Sequence, residues 1–229
     1  MKKLPIHEYF YTWQGEGTHA GKAAFFIRTM GCPVHCPWCD SAGTWHPDHM
    51  PKSIDRLTVE ELVTAARTTP CEFAVISGGE PTIHDLTELT QSLRQAGIPS
   101  HLETCGAFPI QGLFDWITLS PKWAKLPNTE NLARANEIKL IIENIESIPK
   151  WLETLEGQLK ANIPIWLQPE WSMRHNPAVL NTISQHVKQF GAPFRAGIQM
   201  HKYYNVDALD VRSRDLPELI DHHPADSGI

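Results

Sequence analysis

The sequence predicts an α/β fold organised on a predominantly parallel sheet. Three features carry the prediction. Short apolar runs recur at residues 23–29, 73–77, 100–104, 115–119, 137–143, 163–168 and 194–200. Helix-forming stretches separate several of them, and strand–helix alternation builds right-handed βαβ units. Polar or glycine motifs follow the runs: the cysteine loop at 31–40, Gly78-Gly79-Glu80-Pro81, Glu103-Thr104-Cys105-Gly106, Ser120-Pro121-Lys122, the turn at Gln168, and His201-Lys202-Tyr203-Tyr204. In parallel α/β folds that C-terminal edge is where ligands bind, so the layout itself predicts an active site.

Taken in order, residues 6–13 read as an extended segment that breaks at Gln14-Gly15-Glu16-Gly17. Glycines on both sides of Glu16 permit a sharp turn close to a ligand, although a hairpin with a solvated glutamate accounts for the same residues. The run at 23–29 suits a buried strand, yet Arg28 near its end needs an anionic partner. Glu16 is one candidate; a substrate carboxylate held bidentately is the other. Residues 41–57 read as a polar loop. Thr58 with Glu61 forms a capping box, and Leu62, Val63, Ala65 and Ala66 continue that helix.

After the strand at 73–77, Asp85 with Glu88 opens a second helix that Gly97 closes. Strands at 100–104 and 115–119 follow, and residues 137–143 alternate into another. A helix at 148–159, a strand at 163–168, a helix at 177–190 with Pro177 in its first turn, and a last strand at 194–200 complete the pattern. From residue 206 onward charge and proline rise, and 221–229 reads as a frayed tail.

The 229 residues suit one domain, read as 1–229, with residues 1–22 an N-terminal segment and 206–229 a C-terminal extension. Apolar content of 41% and charge of 20% are ordinary for a globular protein. A net charge of -6 without a Lys/Arg run argues against a nucleic-acid partner. The first residues carry no apolar leader, and no run approaches the length of a membrane span. Five cysteines, three of them clustered, favour a reducing compartment, so a cytoplasmic location is expected.

Chemistry concentrates at Cys32, Cys36 and Cys39, spaced C-x3-C-x2-C. Three thiolates on one loop suit a metal or iron–sulfur site better than a disulfide framework. A four-iron cluster held by three cysteines keeps one iron open for an exogenous ligand. The alternative is a zinc knot with His35 or His46 as fourth ligand, although structural zinc sites usually bring ligands in separated pairs. Pro33, Pro37 and Trp38 make the loop stiff and apolar. In the motif at 78–81, the glycines let backbone approach a ligand and Glu80 offers a carboxylate to an ammonium. Cys71 and Cys105 read as structural thiols, and Gln168 and Gln199 as strand-end polar groups.

With Trp38 before the last cysteine, the loop resembles the signature of the radical S-adenosylmethionine (SAM) enzymes, and the later Gly78-Gly79-Glu80-Pro81 resembles the segment with which those enzymes hold the methionine amino group. The flanks narrow this. Trp13 to Gly17 (WQGEG), Phe26 to Cys32 (FIRTMGC), Cys39-Asp40-Ser41, Thr44-Trp45, Leu102 to Gly106 (LETCG), Ser120-Pro121-Lys122 and Gln199 to Tyr203 (QMHKY) together resemble the 7-carboxy-7-deazaguanine synthases over most of the chain.

The resemblance implies an incomplete (β/α) barrel of the radical SAM type, often a homodimer. It implies a [4Fe-4S] cluster on Cys32, Cys36 and Cys39, with SAM as cosubstrate and Mg²⁺ held by Ser41 with Asp40 in support. Flavodoxin or ferredoxin would donate the electron. For SAM it implies contacts with Trp38, Cys39, Asp40, Gly79, Glu80, Glu103, Ser120, Pro121 and Lys122. A pterin would be framed by Trp13, Gln14, Gly15 and Glu16, with Gly78 and His201 nearby and Arg28 clamping its carboxylate. The implied reaction is radical ring contraction of 6-carboxy-5,6,7,8-tetrahydropterin to 7-carboxy-7-deazaguanine with loss of ammonia, in queuosine-type 7-deazapurine biosynthesis. No residue is singled out as catalytic, because the SAM-derived radical does the chemistry.

One departure stands out. Short relatives end soon after the HKY motif, and their terminal carboxylate can help hold the substrate; here the chain runs on, and Asp207 or Asp210 is a candidate replacement. Two alternatives remain on the sequence alone: another short-barrel radical SAM enzyme, such as a glycyl-radical activase, or a zinc-binding structural domain.

Overall fold

The computed structural model describes residues 2–204 and 206. Asp207, Asp210 and the 221–229 tail lie outside the described residues. The backbone builds one nine-stranded sheet in the order β3-β1-β2-β4-β5-β6-β7-β8-β9. β1 (Lys3–Trp13) runs antiparallel to β2 (Ala23–Thr29) and, on its other side, to β3 (Asp55–Thr58). Every later pairing is parallel, through β4 (Phe73–Gly78), β5 (Ser100–Thr104), β6 (Trp116–Leu119), β7 (Glu137–Ile142), β8 (Ile165–Pro169) and β9 (Phe194–Ala196). The sheet does not close: β3 and β9 are its two edges.

The helices are α1 (Val59–Arg67), α2 (Thr87–Gln95), α3 (Thr129–Arg134), α4 (Ser147–Thr154), α5 (Pro177–Phe190) and α6 (Met200–Tyr203). Val59, Leu62 and Ala66 of α1, with Leu89 and Leu93 of α2, pack on the apolar side chains of β1, β2, β4 and β5. Ile148 and Trp151 of α4 and Val179 and Ile183 of α5 do the same for β7 and β8. Among the described residues no helix is long and apolar enough to cross a membrane.

The capping box is present, with Thr58 accepting from the Glu61 amide and Glu61 accepting from the Thr58 amide. Elsewhere the structure corrects the expected boundaries. Residues 41–57 include the start of β3, an edge strand with mostly exposed residues that apolar patterning misses. The second helix is capped at Leu86; Asp85 instead accepts from the Thr87 amide in a local turn and pairs with Lys2. The helix expected to reach residue 159 ends at Thr154. α3, capped by Asn128, was not expected. Residues 194–200 are not one strand: β9 stops at Ala196, and the chain turns at Gly197 into α6.

The turn at Gly197 matters for the site. Its amide donates to the Leu167 carbonyl, and a Cβ there would crowd Gln168 at 3.2 Å. The chain is thus folded back across the strand ends, which sets α6 over them. β7 is buried at all six residues, as a central parallel strand should be. Yet it carries Glu137 and Lys139, and charges in such a strand require partners.

Candidate active site at the carboxyl edge of the sheet

A cavity of about 330 Å³ opens at the C-terminal ends of the parallel strands. It gathers nearly all the residues expected at a site. Cys32, Cys36, Trp38, Cys39, Asp40 and Ser41 line it from the loop after β2. Gly78, Gly79 and Glu80 come from the end of β4, Glu103 from β5, and Ser120 and Lys122 from the turn after β6. Trp13, Gln14, Gly15, Glu16, Arg28 and His201 line it as well. Pro121 is buried and does not line it.

The cysteine loop is pinned at its base. The Gly31 amide donates to the Thr44 carbonyl at 2.8 Å, and the Glu80 amide donates to the Gly31 carbonyl at 2.8 Å. Cys32, Cys36 and Cys39 are free thiols, each half-buried. Burial pushes the Cys36 thiol up to about 11, while the Lys122 ammonium favours its thiolate. Backbone amides of Val34 and His35 turn toward the Cys32 sulfur, and the Trp45 indole donates to the Cys39 sulfur at 3.4 Å. These donors suit sulfurs held as thiolates.

Among the described residues no three His, Cys, Asp or Glu side chains converge on a point that could hold a single metal ion. His35 stacks on Trp45 with ring centroids 4.3 Å apart, and His46 accepts from the Asp48 amide. The donor set therefore does not assemble a tetrahedral zinc site. It fits a [4Fe-4S] cluster, which Cys32, Cys36 and Cys39 would hold.

Glu80 is fully organised by neutral donors. Its Oε1 accepts from the Thr82 hydroxyl at 2.7 Å and the Thr104 hydroxyl at 2.6 Å, and its Oε2 from the Cys105 amide at 2.8 Å. No lysine, arginine or histidine forms an ion pair with it among the described residues. Lys122 donates to the Ser120 carbonyl and hydroxyl at 2.8 and 2.6 Å, with the Trp38 ring 5.4 Å away. Burial pulls the Lys122 ammonium below its ordinary value.

At the other end, Arg28 faces Glu8 across the β1–β2 ladder and donates to it at 2.6 Å. A second nitrogen donates to the Ser41 hydroxyl at 3.0 Å. Among the described residues the ion-pair partner of Arg28 is therefore Glu8, not Glu16. Ser41 in turn donates to Asp40, whose other oxygen meets Lys202 at 3.3 Å. Burial works against the Asp40 charge, but Lys202 and Arg28 outweigh it and hold the carboxyl well below its usual range.

Glu16 pairs with Lys139, which also reaches Glu103 at 3.1 Å. Burial raises the Glu16 carboxyl, and Lys139 together with His201 more than reverses that, bringing it down to about 2. Gly15 must lack a side chain, because a Cβ would lie 2.7 Å from the His201 Cβ. The Met200 amide donates to the Gly15 carbonyl, and Trp13 meets Tyr204 edge-on at 5.4 Å. The turn after β1 and α6 thus form one wall.

The cavity is also lined by Gln199 and Gln168, read on sequence as strand-end polar groups, and by Lys139, which sequence reasoning missed. Gln199 bridges Glu16 and Asp40, at 2.9 and 3.3 Å. Gln168 is buried and lines the cavity, and among the described residues its side-chain oxygen has no hydrogen-bond donor. A buried acceptor left open toward a cavity is what a ligand donor would satisfy. Lys139 had one available signal: a cation inside a run otherwise fit for a doubly buried strand.

The sequence matches the radical SAM superfamily over residues 26–121. That span holds the cysteine loop, Glu80 and Glu103, but neither the turn at 14–17 nor α6. Whole-chain relatives supply the rest. The chain is 45% identical over 203 residues to a 7-carboxy-7-deazaguanine synthase of Synechocystis, covering 88% of this chain and 93% of the relative. It is 38% identical to that of Flavobacterium psychrophilum, covering 89% and 92%, and 34% identical to that of Escherichia coli K12, covering 89% and 99%. The crystal structure of QueE from Escherichia coli superposes with a TM-score of 0.73 at 32% identity, over 87% of this chain and 95% of that one.

Proposed function

Because the chain belongs to the 7-carboxy-7-deazaguanine synthase family of radical SAM enzymes, we propose that its cavity converts 6-carboxy-5,6,7,8-tetrahydropterin to 7-carboxy-7-deazaguanine with loss of ammonia. The single observation that carries this reading is that one cavity joins the cysteine loop and Glu80 to Arg28 and the Glu16 turn. On this reading a cofactor end and an anion-recognising end share one cavity.

Cys32, Cys36 and Cys39 would hold a [4Fe-4S] cluster, and its free iron would take the amino acid part of SAM. When bound, the pair supplies one-electron cleavage of SAM to a 5′-deoxyadenosyl radical. The chain's own residues bind, orient and exclude water. Glu80 accepts the methionine ammonium; Gly79 lets the backbone approach it. Lys122 supplies positive charge for a carboxylate beside Trp38, and Glu103 accepts from hydroxyls.

Arg28, braced by Glu8, presents its guanidinium to the pterin carboxylate, and Gln14, Glu16 and His201 frame the rings. Ser41 and Asp40 supply hard oxygen atoms suited to Mg²⁺, with the substrate carboxylate completing the sphere. A cation there competes with Lys202 for Asp40. The same reading takes the chain as one domain, cytoplasmic, a homodimer, and reduced by a flavodoxin or ferredoxin.

The test is anaerobic reconstitution followed by turnover with SAM, reductant, Mg²⁺ and the carboxytetrahydropterin, products identified by mass. Formation of 5′-deoxyadenosine together with 7-carboxy-7-deazaguanine is expected. SAM cleavage with the pterin untouched would overturn the substrate assignment.

A further inference from the structure

Lys139 lies between the two ends of the cavity, and the reading above gives it no role. It is the third residue of β7, a strand buried throughout, where Ile141 on the same face lines the same cavity with a hydrocarbon side chain. An ammonium is kept in such a place only where acceptors meet it. Here two do. Lys139 donates to Glu16, from the turn after β1, and to Glu103 Oε2 at 3.1 Å, from β5. The other Glu103 oxygen accepts from the Gln14 amide at 3.1 Å, and all four side chains line the cavity.

We propose that Lys139 is a positioning residue whose ammonium ties Glu16 and Glu103 into one unit and so aligns the pterin end of the cavity with the SAM end. The proposal rests on the functional reading above for what each end binds. Its geometry does not: two carboxylates from elements far apart in sequence meet on one buried cation. Without it, two acids would face each other in a desolvated space, and each would turn elsewhere for a donor.

The groups facing Glu103 are Glu16, then Lys139 and Glu137 from β7, and His101 from its own strand, whose Nε2 lies 3.8 Å away. Burial pushes the Glu103 carboxyl up to about 7, Lys139 counters it, and Glu16 and Glu137 push the same way as burial. Replacing the cation by a hydrocarbon therefore raises the carboxyl further.

The test uses the full reconstituted chain with Lys139→Met and Lys139→Arg, and Glu103→Gln to assign the infrared band of the protonated Glu103 carboxyl. In Lys139→Met that band should persist about 1–3 pH units higher than in the unsubstituted chain. The pterin KM should rise about tenfold or more, the effect of a lost charged hydrogen bond. Lys139→Arg, which keeps a cation between the acids, should bring the band back toward its original midpoint. If Lys139→Met does not fold, Lys139→Met with Glu16→Gln removes the opposed acid, and its band is compared with that of Glu16→Gln alone.

An unmoved band, or an unchanged KM, overturns the proposal. The infrared titration needs no substrate, so it judges Lys139 separately. An unsubstituted chain that binds SAM but never turns over the pterin sinks the functional reading instead.

Discussion

Gly79→Ala is the sharpest steric probe of the cofactor end. Gly79 does not occupy the left-handed region, so alanine brings no backbone strain and the effect is purely one of space. The added Cβ would lie 2.7 Å from the Gly31 carbonyl carbon and 2.8 Å from the Cys32 Cβ. Both neighbours belong to the base of the cysteine loop, so no flexible side-chain tip can yield. The end of β4 and the loop must separate by about 1 Å, an overpacking cost of about 1–3 kcal/mol. The Glu80 amide bond to the Gly31 carbonyl spans the same gap, and its loss adds about 1 kcal/mol.

At about 2–4 °C per kcal/mol for a chain of this length, the cluster-free protein should unfold several degrees lower. Iron and sulfide content after anaerobic reconstitution should fall as well, because Cys32 moves with the loop. Calorimetry and iron–sulfide analysis on the same samples are the assay. Full loading with an unshifted transition would refute the claim that this contact sets the loop.

Three further outcomes follow from the geometry. Cys36→Ala should abolish the bound cluster and all SAM cleavage while leaving the circular dichroism spectrum unchanged; a chain that still holds a full complement of iron sinks the ligand assignment. Arg28→Ala should leave iron content intact and raise the pterin KM about 10- to 100-fold, the worth of about 1.5–3 kcal/mol for charged hydrogen bonds, and unchanged turnover would refute the clamp. Glu103→Gln should flatten stability between about pH 4.5 and 7. Burial raises this carboxyl in the folded chain, so the folded state holds a proton that the unfolded state has lost, and stability falls as pH rises through that window. Unfolding temperatures measured across the window in both proteins decide it; parallel profiles would dismiss the assignment to Glu103.

Much of the site was legible because its residues announce themselves locally. The cysteine spacing, the glycines at 78–79 and the glycine-flanked Glu16 each pair a backbone requirement with a chemical group, and each lies just past a strand. What could not be read was pairing across the sheet. Arg28 demanded an acid, but composition could not tell Glu16 from Glu8. The β1–β2 register decides it, by setting Glu8 directly opposite Arg28. Periodicity likewise failed at 194–200, because the turn at Gly197 answers to Leu167 and Gln168, contacts distant in sequence.

The same distinction explains how the site divides. The cofactor end is built from strand-end loops on parallel strands that neighbour one another in the sheet, and the superfamily match at 26–121 covers all of it but Lys122. The pterin end joins the antiparallel turn after β1 to α6, brought together by the Met200 bond to Gly15 and the Gln199 bridge to Glu16 and Asp40. Under the proposed assignment, substrate choice depends on segments from opposite ends of the described chain, and on Lys139 between them. A change in α6 that broke the Lys202–Asp40 pair should alter pterin binding and leave iron content intact, because among the described residues no hydrogen bond or ion pair links α6 to the three thiols. Uncoupled SAM cleavage, rather than loss of the cluster, is the signature such a division predicts.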